Sequence, residues 1–66
     1  MKNNIRVERA ILNLTQEDLA NKIAVSRQTI NAMEANKYVP STVLALKIAR
    51  VFQKPVEQIF YLEESD

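Results

Sequence analysis

Residues 14–35, LTQEDLANKIAVSRQTINAMEA, hold two helix starts in close succession, and their reading decides the fold. Thr15 stands where an N-cap is needed, with Asp18 at the third helical position as a capping-box partner. Leu14 before the cap and Leu19 at the fourth position have the spacing of a hydrophobic staple. This helix is expected to run to about Ala24 and to bury Leu19, Ala20 and Ile23. Ser26 repeats the device as N-cap, and Val25 can staple against Ile30. The helix it opens, about Arg27 to Ala35, turns Ile30 and Met33 inward. Only about three residues, Ala24 to Ser26, join the two helices. A junction this short, with a small residue at the bend, is a helix-turn-helix arrangement.

Working outward, apolar residues keep helical spacing almost throughout, punctuated by two prolines. Asn4 to about Asn13 reads as an amphipathic first helix. Asn36 suits a left-handed C-cap, and residues 36–40 form a loop. Ser41, after Pro40, caps a fourth helix to about Gln53, and Pro55 opens a short fifth helix ending near Phe60. Phe60, Tyr61 and Leu62 form an apolar run that could pair with Met1–Asn4. The fold expected is all-α, five helices in one domain spanning residues 1–66. Its motif lies at about 16–35, and the chain ends are candidates for a short antiparallel β-ribbon.

Composition narrows the chemistry. The 66 residues include no cysteine, histidine or glycine. Disulfides and thiolate metal sites are therefore excluded, and the commonest general base and metal ligand is missing. Phosphate-cradling glycine loops and dinucleotide fingerprints are excluded as well. The carboxylates are scattered singly or grouped near residue 66, with no nucleophile–base pair. No enzyme activity, cofactor or metal is expected. No apolar run approaches the roughly 18 residues of a membrane span, and no signal peptide precedes the domain, so a cytoplasmic protein is expected. The net charge of +1 conceals an asymmetry. Residues 57–66 carry Glu57, Glu63, Glu64 and Asp66 and no base, a charge of −4, whereas residues 1–56 carry nine bases and four acids, a balance of +5.

At 100° per residue from Ile30, the outer arc of the third helix holds Gln28, Asn31, Ala32 and Ala35, flanked by Arg27 and Thr29. The arc has no acid and no large apolar residue. Gln pairs bidentately with adenine, Arg with guanine, and an alanine methyl packs on the thymine methyl. Taken alone, the same arc also describes an ordinary solvated face.

The surroundings tilt the balance. The ungapped stretch from Leu14 to Ala49, LTQEDLANKIAVSRQTINAMEANKYVPSTVLALKIA, resembles the Cro/CI-type, XRE-like transcriptional regulators. The resemblance rests on Gln16 at the start of the first motif helix and on apolar Leu19, Ala20, Ile23, Val25, Ile30 and Met33. Glu34 and the Pro40-Ser41 loop end complete the pattern. Length, the segment SRQTIN and the loop NKYVPS look most like the small cytolysin-repressor-type regulators, which are dimers with a β-ribbon of chain ends. Family members often carry Gly at the bend, where this chain has Ala24. Either the bend is not left-handed here or it is strained.

The resemblance implies a sequence-specific DNA-binding regulator, expected to be a prokaryotic or phage repressor. It puts Arg27, Gln28 and Ala32 among the base readers, with Asn31 as a further candidate. Gln16, Ser26, Thr29, Asn36, Lys37 and Tyr38 become phosphate-contact candidates. For Gln16 the alternative is a solvent-exposed first-turn residue, and for Tyr38 a cover over the core edge. Glu34 is expected to pair with Arg9 as a structural ion pair. The apolar excess of residues 41–66 points to a homodimer, with Val51, Phe52, Val56, Ile59, Phe60 and Leu62 as interface candidates. The expected partner is thus a double-stranded DNA operator, with no membrane and no small-molecule ligand evident. The same fold also serves DNA-binding antitoxins and protein-binding adaptors. An antitoxin would be expected to carry a toxin-binding extension, and an adaptor has no need of Arg27, Gln28 and Lys37 along one edge.

Overall fold

Three of the four α-helices begin at an N-cap whose side chain closes the first turn. In the computed structural model, which describes residues 1–66, a short strand β1 (Lys2–Asn3) leads into helices α1 (Ile5–Ile11), α2 (Gln16–Lys22), α3 (Arg27–Glu34) and α4 (Thr42–Phe52). A 3₁₀ turn (Val56–Gln58) and strand β2 (Phe60–Tyr61) follow. Thr15 and Asp18 form a complete capping box on α2. Ser26 Oγ accepts the Thr29 N–H at 3.2 Å, and Ser41 Oγ accepts the Leu44 N–H at 3.2 Å. The α1 start differs. Its first N–H, on Ile5, is accepted by Asn3 Oδ1 at 3.1 Å.

The helix ends share one solution. A single left-handed residue stops each helix: Asn13 (φ 56°), Ala24 (φ 59°), Asn36 (φ 60°) and Gln53 (φ 55°). The next N–H then reaches back six residues inclusive, Leu14 to Arg9 O, Val25 to Ala20 O, Lys37 to Ala32 O and Lys54 to Ala49 O, at 2.9–3.2 Å. This is the bond of the Schellman motif, usually built on glycine. Asparagine tolerates the conformation through its short polar side chain; alanine and glutamine carry the Cβ–carbonyl clash. The bend at Ala24 is thus left-handed, the strained alternative of the two. These terminators also end the helices a residue or two before the boundaries expected from periodicity.

The fifth helix is not an α-helix. Pro55 opens a three-residue 3₁₀ turn, with Gln58 N–H to Pro55 O and Ile59 N–H to Val56 O, both at 3.0 Å. The turn has no room to lengthen, because the residues after it are committed to a sheet. Lys2 opposes Tyr61 and Asn3 opposes Phe60 in an antiparallel ribbon, extended by Asn4 N–H to Ile59 O at 2.8 Å. The chain ends are tied again by the Met1 amine, which lies 3.2 Å from Glu63 Oε1 and 2.9 Å from Asp66 Oδ2.

Every helix sends residues into one core. Ile5, Leu19, Ile30, Met33, Ile48 and Ile59 are completely buried. Phe52 and Phe60 join them, and this corrects part of the expected dimer surface: Phe52, Ile59 and Phe60 belong to the monomer's own core. Val51 and Val56 are half-buried against that core, and only Leu62 is fully exposed. The apolar residues left outside on this side are instead Val39, Val43 and Leu46. The total accessible surface of 4492 Å² is close to the roughly 4300 Å² expected for a folded monomer of this mass. No helix is long and apolar enough to cross a membrane.

Candidate nucleic-acid interface

The left-handed bend at Ala24 and the Ser26 cap fix how α3 leaves α2. Leu19 and Ala20 on α2 and Ile30 and Met33 on α3 are buried, so both helices are pinned by their inner faces. The outer face of α3 then follows. Arg27, Gln28, Asn31 and Ala35 are exposed, and Thr29 and Ala32 are half-buried. Beside this face the Asn36 cap turns the loop back. Gln28, Thr29 and Ala32 form one wall, and Lys37 and Tyr38 the other, of an open depression of about 430 Å³. Tyr38 is therefore part of the surface of this groove.

The hydroxyls at the start of α3 retain a free donor. Ser26 Oγ and Thr29 Oγ1 lie 2.9 Å apart and share one proton, while Ser26 Oγ also accepts the Thr29 N–H. Two hydroxyls bring two protons, so one is left without an acceptor within the protein. Asn36 keeps its amide hydrogens free, its Oδ1 accepting weakly from Asn3 Nδ2 at 3.4 Å.

Two acidic groups of the motif, Asp18 and Glu34, are occupied. The Asp18 carboxylate accepts the Thr15 N–H at 3.0 Å; this and the Thr15 hydroxyl hold its pKa below the ordinary value. Glu34, at the inner edge of α3, has a side chain only 2% exposed. Arg9 meets it with two bonds, Nε to Oε2 at 2.7 Å and Nη2 to Oε1 at 3.1 Å. Arg9 Nη1 also donates to Leu14 O at 2.9 Å, which ties α1 to the start of the motif. Arg6 Nε approaches Glu34 Oε1 at 3.5 Å from the exposed side. Burial pushes the Glu34 carboxyl up, but the hydrogen bonds from Arg9 and Gln16 and the Arg9 charge outweigh it and hold the group below the ordinary glutamate value. The same pairing raises Arg9 against the opposing effect of burial.

Gln16 is half-buried where the start of α2 meets α3. Its Nε2 donates to Glu34 Oε1 at 3.2 Å and to Asn31 Oδ1 at 3.3 Å, so both amide hydrogens are used within the protein. A second pair escaped the sequence reading: Glu8, buried on α1, accepts from Lys54 Nζ at 2.9 Å and locks α1 to the end of α4. The signal was the position of Glu8 three residues after Ile5, on the buried side of its helix.

On the far side, Met1, Val39, Ala45, Leu46, Val56 and Phe60 contribute to a second open depression of about 340 Å³, predominantly apolar, which also takes in Pro40, Thr42 and Glu57.

Comparison with known proteins agrees with this arrangement. A family model described as Helix-turn-helix matches residues 5–59. The chain is 54% identical over 66 residues to an uncharacterised HTH-type transcriptional regulator of Methanocaldococcus jannaschii, covering all of both chains. It is 44% identical over 66 residues to the uncharacterised HTH-type transcriptional regulator YgzD of Bacillus subtilis, again covering both completely. Among solved structures, a transcriptional regulator from Listeria innocua superposes with a TM-score of 0.74 at 13% identity. That match covers 97% of this chain and 64% of the other, and it speaks for the fold alone. The chain belongs to the helix-turn-helix family and is an XRE-like transcriptional regulator.

Proposed function

We propose that this chain binds a roughly palindromic operator in double-stranded DNA as a homodimer, with α3 in the major groove, and represses transcription there. The observation that carries the reading is the acid-free outer face of α3 together with the depression beside it. Arg27, Gln28, Asn31 and Ala32 supply the donors, amides and methyl groups that read base edges. Ser26, Thr29, Asn36, Lys37 and Tyr38 border this face with hydroxyl, amide and ammonium donors suited to phosphate oxygens. The body that carries them holds +5, while two carboxylates of the acidic end are drawn to the Met1 amine.

Size supports one protomer per half-site. The protomer measures 31 × 22 × 21 Å, comparable with the ~34 Å between half-sites one helical turn apart. A two-fold dimer through the apolar side of α4 presents two α3 helices to one face of DNA. Selection of bound sequences from random duplex DNA tests function and symmetry together. An inverted repeat with half-sites about 10 bp apart, or a multiple of that, is expected. Recovery of no enriched sequence, or of an unrepeated one, overturns the dimeric operator reading. Placing the selected site between promoter elements of a reporter then distinguishes repression from activation.

A further inference from the structure

We propose that the apolar depression beside α4 is a binding site for a small hydrophobic cation, and that a ligand seated there competes with the second protomer and so releases the operator. The regulatory half rests on the proposed reading of this side as the dimer contact; the site itself does not. The depression measures about 340 Å³, at the lower end of the roughly 300–1,000 Å³ of ligand sites. Val39, Ala45, Leu46, Val56 and Phe60 give it apolar walls, and two polar side chains, Thr42 and Glu57, lie among them. An apolar lining with a few polar groups is the composition of a small-molecule site. The walls come from the loop before α4, from α4, and from the 3₁₀ turn and β2, so no continuous motif announces the site in the sequence.

Charge selects the ligand. Glu57 is the one acidic or basic side chain in the lining, it is exposed, and none of the ion pairs of the structure includes it. The other charge at the recess, the Met1 amine, is already met by Glu63 at 3.2 Å and Asp66 at 2.9 Å. Glu57 also opens the segment 57–66, whose side chains carry −4. An anionic ligand is repelled there, and an uncharged one leaves Glu57 without a partner. An alkyl- or arylammonium lays its body on the apolar walls and brings its cation to Glu57, with the Thr42 hydroxyl as a further acceptor on the same lining. Competition follows from position: Val39 and Leu46 belong both to the recess and to the outward apolar surface that the proposed dimer uses.

The test uses phenethylammonium as the probe, with phenethyl alcohol as its uncharged counterpart and hydrocinnamate as an anionic one. Each is titrated into the isotope-labelled wild type and Glu57→Gln and followed by NMR. Glu57 is exposed, so its substitution leaves the core intact. Binding is expected at millimolar concentration, the strength that so few atoms permit, with amide shifts clustered at Leu46, Val56 and Phe60. The cation should bind about two- to fivefold tighter than the alcohol, the advantage of one surface ion pair, and the anion more weakly than either. Glu57→Gln should erase these differences and keep the alcohol's affinity. In sedimentation, ligand at its own Kd should raise the apparent dimer dissociation constant about fourfold, because each of the two released protomers binds one molecule. Shifts confined to other regions, equal binding of cation and anion by the wild type, or an unchanged preference in Glu57→Gln overturns the site. A dimer that persists with the recess saturated overturns the competition and leaves the operator reading standing. A wild type already monomeric without ligand removes the dimer reading, and the Glu57→Gln comparison alone then decides the site.

Discussion

Ala24 holds the tightest bend in the motif with a side chain that opposes it. At φ 59° its Cβ crowds the neighbouring carbonyl, a cost of roughly 1–2 kcal/mol that glycine does not bear. Glycine also gains entropy in the unfolded chain, which returns part of that difference. Ala24→Gly is therefore expected to stabilise the protein by about 1 kcal/mol in urea unfolding. An unchanged or lower midpoint would show that the bend carries no strain. The opposite sign is expected at Glu34. Its carboxylate is held by Arg9 in a place with almost no solvent, and deleting one partner of such a pair costs about 3–5 kcal/mol. A chain of this length has roughly 3–10 kcal/mol in all, so Glu34→Ala should lose a large share of the total and show a much lower urea midpoint. Wild-type stability in that variant would refute a structural role for the pair. The lowered Glu34 pKa also fixes a pH dependence. Its contribution is complete above the ordinary value of 4.5 and disappears as pH falls through the lower folded value. The Met1 amine runs the other way, because contact with Asp66 and Glu63 raises it above 8.0. Its contribution is present below 8.0 and lost as pH rises through the raised value. Stability should be level between about pH 5 and 8 and fall on both sides. A urea midpoint that is flat down to pH 3 would contradict the acid limb.

Among the elements, the proposed reading divides the labour of DNA binding between α3 and the loop after it, and the division can be measured. Gln28→Ala removes a base-edge partner and should cost about 1–3 kcal/mol on the operator and little on random DNA. Lys37→Ala removes a phosphate partner from each protomer. It should weaken both kinds of DNA and reduce the salt slope by about one per protomer bound. Equal losses on both DNAs for Gln28→Ala would remove that residue from base reading. Legibility from sequence follows the range of the interactions. Thr15, Ser26 and Ser41 announce their helices because a cap bonds only three residues ahead. The sequence marks a short helix after Pro55 but not its 3₁₀ form, because pairing with Lys2 and Asn3, at the other end of the chain, stops it from becoming an α-helix. The bonds of Gln16 are not legible for a related reason: its partners Asn31 and Glu34 lie on another helix. On α4 the apolar pattern runs nearly all the way round, so periodicity did not separate inward Leu44 and Ile48 from outward Val43 and Leu46.

At the scale of the whole molecule, the question is what the outward side of α4 is for. Val43 and Leu46 stand one turn apart at 63% and 54% exposure, with Val39 beside them at 63%. Val39 and Leu46 border the apolar depression that reaches down to Val56 and Phe60. Residues of this kind contribute most to association when they fill a partner's recess. A two-fold axis brings the same ridge and the same recess from each protomer together. A protomer alone already has the surface of an ordinary folded chain, so the proposed dimer is not needed to complete the core; its proposed task is to set two α3 helices at operator spacing. That separates folding from function. Leu46→Asp puts a charge in the middle of the ridge without entering the core. The wild type should sediment as a dimer at micromolar concentration, and the variant as a folded monomer with an unchanged circular dichroism spectrum. On DNA the variant should lose affinity for the full operator steeply while binding an isolated half-site as the wild type does. A variant that remains dimeric would place the contact elsewhere, with the exposed Val7, Ile11 and Leu12 of the α1 segment as the next surface to alter. A monomeric variant with full operator affinity would show that two recognition helices are not needed at once.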